Sequence, residues 1–195
     1  ADVSISADVD LSTAEVGRSI ALMARSQGPG DANSYWGVYY RSDSGYAAQI
    51  YKHTGGSPIA LRSVNVPGPT GNLRFEVLGT TLNLYFNNTL VTSVIDDALA
   101  GAGAVGMRQT GGALDNFAAA AAVPPITQNA TLPFSDNFNR PDSSLFGAFW
   151  TERSGDTGVR NNAAGMYASD TSVVTLNGVN ETDVSVSADF DITGV

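Results

Sequence analysis

The fold class this sequence predicts is all-β: an antiparallel sandwich or barrel. Three observations carry that expectation. Short segments alternating apolar and polar residues recur along the chain, Gly, Ser, Asn, Asp and Pro punctuate them every few residues, and no segment shows a convincing amphipathic helical pattern. Charged residues are only 15% of the chain while apolar residues are 43%, a mix that suits many short strands joined by turns around a real core.

Taken in order, strands are expected over 2–11, 18–25, 34–41, 46–52, 60–65 and 72–78. A hairpin over 81–86 and 89–95 turns at Asn87-Asn88. Residues 96–99 form at most one helical turn, and strands over 103–108 and 113–118 follow. Beyond an Ala/Pro stretch come strands over 134–139, 150–153, 159–161, 165–168 and 173–176.

The segment Asp2-Val3-Ser4-Ile5-Ser6-Ala7-Asp8-Val9-Asp10-Leu11 returns as Asp183-Val184-Ser185-Val186-Ser187-Ala188-Asp189-Phe190-Asp191-Ile192. Seven of the ten positions are identical at an offset of 181 residues. Such agreement predicts an internal repeat. Both copies alternate strictly, as a half-buried antiparallel strand does. The chain then holds the later two-thirds of one sandwich in residues 1–120, an extended connector in 121–133 with Pro124-Pro125 at its centre, and the first third of the next repeat in 134–195. A first residue other than Met suits a processed or excerpted chain.

A net charge of −9 and a pI near 4.3 disfavour nucleic acid and anionic membranes as partners. With no cysteine, disulfides, Cys-based zinc sites and thiol catalysis are excluded. The longest apolar run, 117–123, is mostly alanine and far short of the ~18 residues a membrane span needs.

Among motifs, Gly101-Ala102-Gly103-Ala104-Val105-Gly106 matches the dinucleotide fingerprint literally, but a strand rather than a helix is expected after it. Asp189-x-Asp191-x-Thr193-Gly194 resembles the start of an EF-hand loop; its twin at Asp8-x-Asp10-x-Ser12 lacks the glycine, and Ser19 stands where the bidentate glutamate belongs. His53, the sole histidine, reads as a turn residue beside Gly55-Gly56. Asn87-Asn88-Thr89, Asn129-Ala130-Thr131 and Asn180-Glu181-Thr182 match the glycosylation sequon. The segment Ser34-Tyr35-Trp36-Gly37-Val38-Tyr39-Tyr40-Arg41 puts Trp36, Val38 and Tyr40 on one face and Tyr35, Tyr39 and Arg41 on the other. With Tyr46 and Tyr51 on the next strand, Tyr35, Tyr39, Arg41, Tyr46 and Tyr51 form a candidate sugar-binding face, set against the plainer reading of one core face and one tyrosine ladder.

Several short motifs resemble the concanavalin A-like/laminin G-like jelly rolls of bacterial secreted and surface proteins. They are Asp136-Asn137-Phe138-Asn139-Arg140, then Trp150, the strand Ala21-Leu22-Met23-Ala24-Arg25, Ile95-Asp96-Asp97, the 103–106 glycine strand and Asp115-Asn116-Phe117. The resemblance covers nearly the whole chain in permuted order. It implies a jelly-roll sandwich and an extracellular setting. It also implies a structural calcium near the first and last strands, which would fall to Asp115, Asn116, Asp136 and Asp142. Glycosidases of this type carry a Glu-x-Asp-x-x-Glu strand; none exists here, and the four glutamates are scattered at 15, 76, 152 and 181. The expected function is therefore a non-catalytic structural or adhesive repeat of a large extracellular protein. It would assemble head to tail with copies of itself or with adjacent repeats, through the strand carrying Asp183, Val184, Val186, Phe190 and Ile192. The alternative is a carbohydrate-binding module.

Overall fold

The computed structural model describes residues 2–122, 126–143, 145–154, 157–166 and 172–190. The connector residues 123–125 and the end of the second repeat copy, including Asp191, Ile192, Thr193 and Gly194, lie outside the described residues.

Ten strands occupy residues 3–121: β1 (Val3–Asp10), β2 (Ser19–Gln27), β3 (Asn33–Ser42), β4 (Gly45–Thr54), β5 (Ser57–Val66), β6 (Thr70–Leu78), β7 (Thr81–Phe86), β8 (Thr89–Ile95), β9 (Ala104–Gln109) and β10 (Ala113–Ala121). They build two antiparallel five-stranded sheets, ordered β10-β1-β6-β7-β8 and β5-β4-β3-β2-β9. Alternation does what the sequence promises in β1. Ile5, Ala7 and Val9 face the interior while Asp8 faces water.

Between the sheets lies one core that includes Ile5, Leu22, Tyr35, Tyr39, Ile50, Phe75 and Leu84. Removing each such side chain from water stabilises the fold by roughly 1.5–3 kcal/mol. Asn87 and Asn88 both take positive φ, 51° and 62°, the two-residue turn whose twist matches a hairpin. The same device recurs at Asn161 and Asn162, φ 51° and 60°, between β12 (Thr157–Arg160) and β13 (Ala163–Met166).

Two expected strands are absent. Residues 134–139 form turns instead, because short side chains capture the backbone: the amide of Phe138 donates to Asp136 Oδ1 (2.9 Å) and that of Asn139 to Asn137 Oδ1 (3.0 Å). Residues 183–190 lie outside any strand although their sequence is nearly that of β1. Alternation specifies which face is buried but not a partner, and β1 is held from both sides by β6 and β10. The segment after the connector holds two small ribbons, β12–β13 and β11 (Trp150–Ser154) with β14 (Val173–Leu176). Around them Phe134, Phe138, Phe146, Phe149 and Trp150 pack edge and tilted contacts, with ring centroids 5.3–6.0 Å apart.

Candidate binding surface

The β3 alternation separates two environments, and the structure corrects the expected tyrosine face. Tyr35 and Tyr39 are fully buried in the core. The Tyr35 hydroxyl donates to Asp96 Oδ1 (2.5 Å) and accepts from the Leu99 amide (3.0 Å). The Tyr39 hydroxyl donates to the Gly68 carbonyl, and its ring stacks on Tyr46 and Phe86. Burial pushes both phenols far above their ordinary range. Arg41 donates to the carbonyls of Leu11, Ser12 and Ala14, tying β3 to the β1–β2 loop. Of the five residues, Tyr51 alone stands with the opposite, outward face. Two large faces of one strand cannot be ranked from alternation, because a tyrosine can be buried once its hydroxyl is paired.

The outward face of the β5-β4-β3-β2-β9 sheet carries the chemistry that the tyrosine reading missed. Trp36 and Val38 pack there with Ala21, flanked by the partly exposed Met23, Tyr40 and Tyr51. Trp36 stacks on His53 with ring centroids 3.5 Å apart and planes at 24°. From β9, the Arg108 guanidinium sits 5.0 Å above the Trp36 ring and pairs with Asp31 at 3.3 Å. Gln49, opposite Val38, donates to Ser63 Oγ (3.1 Å) and adds an amide to the same surface. The Trp36 indole donates to Ser34 Oγ (2.6 Å), which fixes its orientation.

His53 is therefore not a turn residue. It lies in β4 opposite Ser34, 4% exposed, and among the described residues neither ring nitrogen has a hydrogen-bond partner. Burial pulls its pKa down, assisted by Arg108 and opposed by Asp31. The unfolded chain takes up a proton near the ordinary value of ~6.5 while the native ring does not. Stability is thus full above that pH and falls as pH drops from about 6.5 towards the lowered native value. Urea unfolding at pH 7.5 and 5.0 is expected to show this loss, and His53→Phe to flatten it. An equal loss in the variant would remove His53 as its source.

The candidate calcium ligands separate into two places. Asp115 and Asn116 sit in β10, where the Asn116 amide donates to Asp8 Oδ2 (2.7 Å). Asp136 and Asp142 belong to the later segment. Asp142 accepts from the Asn161 amide (2.8 Å). Asp136 receives both Arg140 terminal nitrogens (2.7 and 3.0 Å), the Trp150 indole (2.9 Å) and the Phe138 amide. The hydrogen bonds from Arg140, opposed in part by burial and helped by Phe138 and Trp150, hold its pKa down to about 2. A cation at Asp136 would have to displace Arg140. No cluster of three or more His, Cys, Asp or Glu gathers among the described residues. Of the candidate assembly strand, Val184, Val186 and Phe190 are 56%, 86% and 85% exposed.

The two five-stranded antiparallel sheets, packed face to face over one core, make an antiparallel jelly-roll β-sandwich. No family model matches the chain, and no curated protein matches it. Among solved structures it is similar to the carbohydrate binding module CBM66 from Bacillus subtilis, at 19% identity over 60% of this chain and 71% of that one, with a TM-score of 0.47. It is also similar to sheep galectin-11 in complex with glycerol, at 15% identity over 61% of this chain and 90% of that one, with a TM-score of 0.44. Among the described residues no helix is long and apolar enough to cross a membrane.

Proposed function

We propose that this chain is a non-catalytic glycan-binding module of a secreted protein, and that its recognition surface is the outward face of the β5-β4-β3-β2-β9 sheet. The observation that carries this reading is the pair of half-buried tyrosines Tyr40 and Tyr51 beside the solvent-open Arg108–Asp31 pair, set over a floor formed by the buried Trp36–His53 stack. Aromatic surface packs against the C–H faces of a pyranose. A guanidinium, a carboxylate and an amide at the rim supply donors and acceptors for ring hydroxyls. A chain with net charge −9 is poorly suited to polyanionic glycans, so the ligand class is a neutral oligosaccharide. Glycoside hydrolysis needs two carboxyl groups flanking one bond, and among the described residues Asp31 is the carboxylate placed beside this stack.

Neutral glycan arrays followed by calorimetry test this. Tyr51→Ala and Arg108→Ala should each weaken binding of a hit by roughly tenfold, in the range of truncated contact residues, with the unfolding temperature little changed. A glycan bound equally well by both variants would place the site elsewhere. No binding across the neutral set would overturn the function.

A further inference from the structure

We propose that the flank of the sandwich bounded by β9 and β10 docks the C-terminal segment, residues 134–190, of a second copy of this chain, so that copies join head to tail. This goes beyond the glycan reading and uses a different surface.

The two sheets leave one flank open. At the other, the edge strands β5 and β8 lie against each other. β9 and β10 instead border a cleft of about 270 Å³ lined by Arg25, Val105, Ala119 and Ala121, among others. The residues there are of interior type. Met107 is the register partner of Leu22, which is fully buried, and Ala119 the partner of Ile5, also fully buried. Yet Met107 is 55% exposed, Val105 39% and Phe117 39%, and Ala119 and Ala121 are exposed too. The inter-sheet layer runs out to this flank and ends there uncovered, beside two edge strands with a free row of backbone groups.

The repeat names the occupant. Val186 stands where Ile5 stands in the first copy and Phe190 where Val9 stands. Ile5 and Val9 are 0% and 3% exposed, Val186 and Phe190 86% and 85%. Matching apolar positions are thus buried in the first copy and, over the described residues 183–190, bare in the second. β10 already accepts this sequence, as β1, along one of its two edges. Among the described residues the preceding segment forms two-stranded ribbons, which fall short of the three strands a sheet needs for independent stability. By elimination, a segment that precedes a β1-type strand and belongs to its sandwich finds room at the β9/β10 flank alone, since β1 has both neighbours and the other flank is closed.

Because donor and acceptor are different surfaces, the contact is heterologous and repeats along an open chain.

Sedimentation of the full-length chain over a concentration series tests the proposal with two variants. Met107→Glu damages the acceptor flank; Val186→Asp, together with Phe190→Asp, damages the donor. Wild type is expected to form oligomers that grow with concentration, and each variant to weaken association at least tenfold while keeping the wild-type unfolding temperature. Mixing the two variants is expected to restore a dimer and nothing larger, because one intact donor then meets one intact acceptor. A monomeric wild type at ~100 μM would overturn the proposal, as would oligomers indifferent to both variants or a mixture that stays monomeric. None of these outcomes touches glycan binding, which Tyr51→Ala and Arg108→Ala report separately.

Discussion

Gly37→Val is expected to lower the stability of the sandwich by about 3 kcal/mol or more, at the upper end of what overpacking a core costs. Gly37 lies in the middle of β3, between Leu22 of β2 and Ile50 of β4. A Cβ there would sit 2.7 Å from Leu84 Cδ1 and Phe75 Cγ, and 2.8 Å from Phe75 Cβ. Carbon atoms gain dispersion energy near 3.5–4.0 Å and repel steeply below it. Phe75 and Leu84 are fully buried and are cross-strand partners of each other in the opposite sheet, so neither can retreat without moving the other. At this point the two sheets touch through side chains of one sheet and bare backbone of the other. Valine adds two further methyl groups and the full clash. Thermal unfolding should show a drop of at least ~10 °C, given 4–8 °C per kcal/mol for a small domain. Gly37→Ala with Phe75→Leu should recover part of the loss, since neighbouring changes that relieve one clash are not additive. A Gly37→Val protein as stable as wild type would mean that the sheets do not approach this closely.

The sandwich was legible in the sequence because its signals are local. Alternation in 2–11 and the Asn87-Asn88 turn depend on neighbours two residues away, and both hold in the structure. Gly37 gave no warning, since what it accommodates lies in β6 and β7, far along the chain. The same limit explains the binding face. Alternation sorted Trp36 from Tyr35, but the side that faces the core follows from distant partners, Asp96 just after β8 and Gly68 between β5 and β6, which pair the tyrosine hydroxyls. His53 next to two glycines looks like a turn until Trp36 is found against its ring. Arg108 and Asp31 are 77 residues apart in sequence, and no local pattern joins them. Residues 134–139 misled for the opposite reason: Phe134 and Phe138 would share one face of an extended segment, but Asp136 and Asn137 offered the backbone a nearer partner.

Asp96→Ala is expected to cost about 3 kcal/mol, because one carboxylate closes the end of the core. Its Oδ2 accepts from Lys52 Nζ (2.5 Å), and its Oδ1 from the Tyr35 hydroxyl (2.5 Å) and the Ala98 amide (3.0 Å). The side chains of Lys52 and Asp96 are 17% and 12% exposed. Removing the carboxylate leaves an ammonium largely cut off from water, and breaking a fully buried pair in this way costs roughly 3–5 kcal/mol. The residual exposure of Lys52 puts the value at the low end. Burial alone would raise the pKa of Asp96. The hydrogen bonds from Lys52, Tyr35 and the Ala98 amide, with the charge of Lys52, outweigh burial and lower it. The sign follows: this contribution is fully present above the unfolded carboxylate value of about 3.9 and is lost as pH falls through the lowered native value. Asp96→Asn should keep the Tyr35 and Ala98 contacts, lose the pH dependence and cost less than Asp96→Ala. Lys52→Met combined with Asp96→Asn should cost less than the sum of the two single changes, because no unpaired charge remains. Denaturant unfolding of wild type and of the Asp96→Ala, Asp96→Asn, Lys52→Met and double variants at pH 7 and at pH 2.5, below the unfolded carboxylate value, measures all of this. Additive losses would show that Lys52 and Asp96 do not depend on each other, and the charge would then have no part in closing the core.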